Sequence, residues 1–428
     1  MAVTRGGPDG SAEVDHRRTG ECQPDHDPIE KCRVPGWIAY VTANSFPWGE
    51  AGSRRVNGMA RSLAVYGHKV VVVSGRNPTG DVSTLTDVEG PGSVSHLGLG
   101  DSFGDRAPGL RAWLGRGRNV IEWLDAQPTR PSHVVVYGGG AQYAARLHRW
   151  CVGNRVPLVA DVADWPDRRH VRGGVVGPGN LTVKAALRHY YPQFDGVIVI
   201  SSFLQQFYSE RGCQVLRVPP TLDAVNARRD DPPERSGAAL SLVYFGTPAK
   251  KDLVATMIRA VEQVVRHGGD VELRVLGPSL AEVQDLLGGM APPSAVRVMG
   301  RLPQWDVAWM LARADFSIIV RRPTRLAHAG FPTKFCESVA AGTPVIANLT
   351  TDLGGYLTDG VEGIVCADHS VGAVEHALWR ALRLHPDERR AMRQAARKRA
   401  LESFDYRNYG AELGRFLRQL RRTAGQRG

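Results

Sequence analysis

Gly330-Phe-Pro-Thr-Lys-Phe-Cys-Glu-Ser-Val-Ala-Ala-Gly-Thr-Pro-Val-Ile-Ala-Asn348 holds a helix start, a carboxylate, a helix stop and a buried strand. Pro332 suits the first helical turn, where its missing N–H has no intrahelical partner to lose. Gly342 falls where a helix ends in a left-handed residue, and Thr343-Pro344 blocks its continuation. Val345-Ile346-Ala347 then reads as a short parallel strand. The N–H groups at the helix start favour an anion, and Glu337, one turn further in, is placed to bind hydroxyls. Phosphate held beside a diol is what a nucleotide sugar requires.

Outward from this stretch, short β-branched runs alternate with longer amphipathic ones, the pattern of a parallel sheet wrapped by helices. Trp37–Thr42, Lys69–Ser74, Val134–Tyr137, Leu158–Val162, Gly196–Ile200 and Gln214–Val218 are the strands of a first half. Pro78–Asp105, rich in Gly, Ser and Asp, reads as irregular. The stretch from Asn226 to Gly237 is polar, with Pro232-Pro233 and no periodicity, and reads as a linker. The alternation then restarts with Leu240–Phe245, Glu272–Leu276, Val296–Met299, Phe316–Val320, Pro344–Ala347 and Gly363–Val365.

Three further loops carry chemistry-bearing residues. In Asn44-Ser-Phe-Pro-Trp-Gly-Glu-Ala-Gly52, small residues let backbone N–H groups approach a ligand at a helix start, with no GxGxxG fingerprint. Val243-Tyr-Phe-Gly-Thr-Pro-Ala-Lys-Lys-Asp252 delivers two lysines into a loop after a buried strand, which suits a phosphate. Asp161-Val-Ala-Asp-Trp-Pro-Asp-Arg168 puts two carboxylates at the tip of a strand, where parallel sheets face their crevice.

The opening segment resembles the donor-binding helix of the retaining glycosyltransferases of family 4, and most closely the branch that makes bacterial polysaccharides. That resemblance implies an α/β GT-B fold, two Rossmann-like domains facing across a cleft. The expected organisation is a disordered tail 1–33, an acceptor domain 34–225, a linker 226–237 and a donor domain 238–403. A crossing helix 404–421 returns to the first domain. The implied activity moves a sugar from a nucleotide sugar to a hydroxyl acceptor (a glycan, glycolipid or small-molecule glycoside) with the leaving phosphate helping to deprotonate the acceptor.

By the same resemblance, Lys251, Glu337 and Asp164 carry catalysis: Lys251 at the departing diphosphate, Glu337 on the ribose, Asp164 orienting the acceptor. Gly246, Lys250, Arg322, Gly330, Phe331, Pro332, Thr333 and Lys334 join Glu337 in holding the donor. Gly49, Glu50 and Gly52 form the loop against diphosphate and acceptor. The chain departs from the family in three places, one of them Ala163, where the polysaccharide branch has an arginine ahead of the Asp164 position. Thr247 replaces an arginine, leaving Arg321, Arg322 or Arg325 to compensate. Ala329 stands where a first glutamate lies near the donor sugar, which opens an epimerase or an inactive homologue as alternatives.

Composition narrows the remaining choices. The 428 residues, 43% of them hydrophobic, suffice for two sizeable cores. No apolar run approaches membrane-spanning length. The start, Met1–Lys31, lacks the apolar stretch of an export signal. Six scattered cysteines suit reduced cytosolic thiols, and Asp25-His26-Asp27 in the tail makes no convincing metal site. No cofactor or metal is therefore expected, and the location expected is cytoplasmic. The net charge of +11 admits nucleic acid or an anionic membrane as a partner. No aromatic-basic platform supports nucleic acid. The Arg-rich stretch Arg389–Arg422 reads as a solvated helix face, with peripheral contact at an anionic inner leaflet as the functional alternative.

Overall fold

The computed structural model of the protein describes residues 36–47, 49, 51–75, 81–100, 115–165, 177–227, 239–246 and 252–426. Its strands in chain order are β1 (Trp37–Thr42), β2 (Lys69–Ser74), β3 (Ser83–Thr84), β4 (Ser93–Gly98), β5 (His133–Tyr137), β6 (Leu158–Val162), β7 (Gly196–Val199) and β8 (Val215–Arg217). The second half holds β9 (Leu240–Phe245), β10 (Val271–Leu276), β11 (Val296–Gly300), β12 (Phe316–Ile319), β13 (Val345–Asn348) and β14 (Gly363–Cys366).

These strands build two sheets, ordered β3-β4-β2-β1-β5-β6-β7-β8 and β11-β10-β9-β12-β13-β14. Every pairing is parallel except β3 with β4. A parallel sheet is covered by helices on both faces, so its central strands are apolar throughout rather than alternating. All six residues of β9 and all five of β6 are buried accordingly.

Strand order reverses between β1 and β5 in the first sheet, and between β9 and β12 in the second. The two connections leaving such a switch point run to opposite faces, opening a crevice at the carboxyl ends of the strands. The described residues after β1 and Gly246 at the end of β9, with Arg321 just beyond β12, therefore border the crevices. Their position follows from the winding of the chain.

The segment read as irregular contains β4, whose Val94 pairs with Val70 of β2. Its polar sequence, Ser-Val-Ser-His, hides the alternation, because the inward position after Val94 is His96. Burial pushes the His96 pKa below its ordinary value, and its ring packs 5.1 Å from Phe46.

Near the C-terminus, a short turn, Tyr406–Asn408, precedes the helix Gly410–Gln426. Leu413, Leu417 and Leu420 of this helix enter the core of the first half with Ile38, Val56 and Leu63. Each fully buried leucine contributes about 2 kcal/mol. His133 Nε2 lies 2.7 Å from the Leu417 carbonyl oxygen and ties the helix to β5.

The Arg-rich stretch is not a solvated face at the positions that matter. Arg393 donates to the carbonyls of Ala312 and Ala314, and Arg397 to those of Ala224 and Ala340. Arg399 pairs with the nearly buried Glu362 at 2.7 Å. At Ala312, Ala314 and Ala340 these guanidinium groups supply donors to carbonyls that helix ends leave without intrahelical partners. Among the described residues no helix is long and apolar enough to cross a membrane.

Candidate functional site

The helix Thr333–Ala340 forms where the sequence places it, but Pro332 is its N-cap rather than a residue of its first turn. Pro332 has an extended ψ of 91°, and its carbonyl accepts the first bond, from Phe335 N–H at 2.8 Å. Gly342 ends the helix with φ +73°, and Thr343 N–H returns to the Ser338 carbonyl at 2.9 Å. A left-handed residue at this point favours glycine, because a Cβ would crowd the preceding carbonyl.

Phe331 is buried against Phe335, Tyr356 and Phe404, with ring centroids between 5.5 and 6.4 Å, so it anchors the loop. Gly330 and Pro332 are also buried, whereas Thr333, Lys334 and Glu337 are partly exposed. Thr333 and Glu337 are four apart and share one helical face.

Lys334 reaches sideways to the β9–β12 switch point. Its Nζ lies 2.7 Å from Asp252 Oδ2, while Arg321 Nε lies 2.7 Å from Asp252 Oδ1. Tyr244 O–H donates to the same carboxylate at 3.0 Å. Asn348 fixes Arg321 by accepting from its N–H and donating to its carbonyl, both at 2.8 Å. Burial alone raises the Asp252 pKa, but the Arg321 and Lys334 cations outweigh it and hold the carboxyl well below the usual range. Two cations against one anion leave this trio with a net charge of +1.

Gly246 makes room for the trio. It has φ +134°, and a Cβ there would fall 2.2 Å from Lys334 Cε. Of the other expected donor residues, Arg322 is exposed. Arg325 stacks over Trp165 with its Cζ 4.4 Å from the ring centroid, a contact between the two halves. Arg321 and Arg325 are thus both engaged. Lys250 and Lys251 lie outside the described residues, as do Thr247 and Glu50.

On the opposite wall the two carboxylates at the tip of β6 part company. Asp161 does not face the cleft. It is buried, accepts from Tyr40 O–H at 2.5 Å and takes both Nε and Nη2 of Arg55. Arg55 also donates to the carbonyls of Val218 and Pro219 at 2.7 and 2.9 Å. Leaving one of these charges without the other inside the core would cost about 3–5 kcal/mol, so Asp161 is structural.

Asp164, three residues on, is exposed and does face across. A Cβ on Gly330 would sit only 3.1 Å from Asp164 Oδ1. In the loop after β1, Gly49 is exposed with φ +139°. Gly52 is packed so closely that a Cβ would meet Asn44 Nδ2 at 2.0 Å and Tyr137 at 2.8 Å.

Glu337 pairs with Arg54 of the helix Ala51–Val65, with Nη1 2.5 Å from Oε1. Arg54 Nη2 donates to Gln304 Oε1 at 3.0 Å. Neither Arg54 nor Asp252 is visible as a site residue in the sequence. The available signal was position: Arg54 lies in the first turn after Gly52, and Asp252 directly after the lysine pair. Ala329, in place of the family glutamate, is fully buried, and its carbonyl accepts from Ser201 O–H at 2.8 Å. Among the described residues no group of three or more His, Cys, Asp or Glu is placed to hold a metal ion.

Residues 255–414 match the sequence model of a glycosyl transferase-like family. Glycogen synthase of Mycobacterium tuberculosis is 24% identical over 389 residues, covering 82% of this chain and 87% of that protein. HepE of Anabaena, solved in complex with UDP and glucose, superposes with TM-score 0.62 at 14% identity. It covers 90% of this chain and 100% of its own. Sucrose-phosphate synthase of Thermosynechococcus elongatus gives TM-score 0.64 at 16% identity, covering 90% and 99%. The fold is GT-B. The second half of this GT-B chain is glycosyl transferase-like, and the match begins just beyond Asp252. It therefore takes in Arg321, Lys334 and Glu337.

Proposed function

We propose that this protein is a retaining glycosyltransferase that transfers a sugar from a nucleotide sugar to a hydroxyl acceptor. The observation that carries the proposal is the meeting of Gly330 with Asp164 and of Glu337 with Arg54, one pair of walls contributed by each half. The UDP in the HepE complex and the glycogen synthase relative favour a nucleotide sugar as donor and a glycan-type hydroxyl as acceptor.

In this reading Glu337 accepts the ribose hydroxyls, and the diphosphate lies between the start of the Thr333–Ala340 helix and the Gly246 loop. The net positive trio of Asp252, Arg321 and Lys334 would stabilise charge as it develops on the departing phosphate, and so do the work of a counter-ion. By the resemblance of the sequence, Lys251, with Lys250 as the second choice, is the further cation proposed for the departing diphosphate. Asp164 would orient the acceptor on the same face of the sugar as the leaving group, whose phosphate oxygen takes the acceptor proton. No metal ion takes part in this scheme. Water excluded between the halves would spare the activated sugar from hydrolysis.

A donor-converting epimerase is the second reading, favoured by Ala329, which puts no carboxylate beside the sugar. Incubation with UDP-, GDP-, dTDP- and ADP-sugars, with and without glycan and lipid-linked acceptors, separates the two. Acceptor-dependent release of nucleotide supports transfer. Isomerised donor without acceptor refutes it.

A further inference from the structure

Arg54 belongs to the first half of the chain, yet its guanidinium rests on the carboxylate assigned to the nucleotide of the second. Its neighbour explains the aim. Arg55 is locked to Asp161 and to the carbonyls of Val218 and Pro219, which fixes the rotation of the Ala51–Val65 helix. The next residue back is turned by about 100° at 3.6 residues per turn, which sends Arg54 out of the core and over the cleft. There it joins Glu337 Oε1 at 2.5 Å and Gln304 Oε1 at 3.0 Å.

A carboxylate oxygen held this closely cannot offer the same lone pair to a hydroxyl. A ribose diol that bridges both oxygens of Glu337 competes with the guanidinium for Oε1. Arg54 sits in the first turn of a helix that begins directly after the Gly49 loop, and its partner Glu337 lies one turn into the helix that starts at Thr333. Its planar fork matches two phosphate oxygens better than a point charge does. We infer that Arg54 is a cross-cleft positioning residue, handed from Glu337 to the donor diphosphate when ribose hydroxyls take the carboxylate.

This inference rests on the nucleotide-sugar reading of the cleft. A nucleoside weakens the Arg54–Glu337 pair without recompense, whereas a nucleoside diphosphate supplies a new partner for the guanidinium. Arg54 thereby makes the site discriminate against ligands that lack the diphosphate. It also ties diphosphate binding to approach of the two halves.

The test is calorimetric titration of UDP, GDP and ADP, each against its own nucleoside, into wild type, Arg54→Gln and Arg54→Lys. Arg54 is partly exposed, so both variants are expected to fold, and matched melting temperatures check this. Relief of a partly exposed ion pair should tighten nucleoside binding by roughly 1.5- to 5-fold in Arg54→Gln. Loss of a charged contact to phosphate should weaken diphosphate binding by roughly tenfold or more. The preference for diphosphate over nucleoside therefore collapses in Arg54→Gln and recovers in part in Arg54→Lys. An unchanged preference in Arg54→Gln overturns the inference while leaving the nucleotide site standing. Failure of wild type to bind any of the three diphosphates overturns the nucleotide reading, and the inference falls with it.

Discussion

Replacing Asp252 by Asn removes one negative charge from between two cations and leaves the shape almost unchanged. The Asp252 side chain is 1% exposed, against 9% for Arg321 and 15% for Lys334. Breaking a buried pair by neutralising one partner costs about 3–5 kcal/mol. Lys334 keeps some contact with water and the Asn oxygen can still accept from Tyr244, so the lower figure, about 3 kcal/mol, applies. At 2–4 °C per kcal/mol for a unit of this size, the melting temperature should fall by roughly 6–12 °C.

The pH dependence carries a definite sign. The folded Asp252 pKa is depressed, because Arg321 and Lys334 outweigh burial. Its contribution is thus fully present above the unfolded carboxyl value, near 3.9, and is lost as pH falls through the folded value. The gap between wild type and Asp252→Asn should stay constant from pH 5 to 8 and begin to close below about pH 4. Differential scanning calorimetry across that range measures it. A variant melting within about 1 °C of wild type at pH 7 would refute the reasoning.

Three other outcomes follow from the same geometry. Ala329→Glu introduces the glutamate of the resembling family at a fully buried position, so it should cost about 3 kcal/mol or more and yield no gain in transfer, read by thermal melting and product assay. Gly330→Ala presses on Asp164, which is exposed and can turn away; the melting temperature should hold within about 2 °C while transfer falls several-fold more than nucleotide affinity. His96 is buried neutral with a lowered pKa, so wild type should lose stability as pH drops below about 6.5. His96→Gln should flatten that part of the urea-denaturation profile.

The fold was legible because buried parallel strands are written as short apolar runs, Val-rich in Lys69–Ser74 and mixed Leu, Val and aromatic in Leu240–Phe245. Where a strand fills an inward position with His96 instead of an aliphatic residue, the run disappears and β4 goes unread. Pro332 shows a finer limit, since N-cap and first turn differ by one residue and both tolerate proline. The Arg-rich stretch misled for another reason. Composition cannot tell a guanidinium facing water from one capping a helix end, and Arg393 and Arg397 cap.

The candidate site divides similarly. Glycines and the Glu337 helix announce a ligand by their local pattern. The partners of those residues are chosen by tertiary contact: Asp161 faces inward to Arg55, Lys334 turns to Asp252, and Glu337 meets Arg54 from the other half. Nothing within a few residues of Glu337 encodes that last pairing. It depends on how Arg55, 282 positions earlier, locks its helix.

The central claim is that Glu337 holds the nucleotide and Asp164 serves the acceptor. Titration of UDP, GDP, dTDP and ADP into wild type, Glu337→Ala and Asp164→Ala tests it most directly. The account predicts that Glu337→Ala weakens the nucleotide bound by wild type by roughly thirtyfold or more, the loss of charge-assisted bonds to hydroxyls. Asp164→Ala should bind within about twofold of wild type and transfer sugar poorly. Equal nucleotide affinity in wild type and Glu337→Ala would contradict the account.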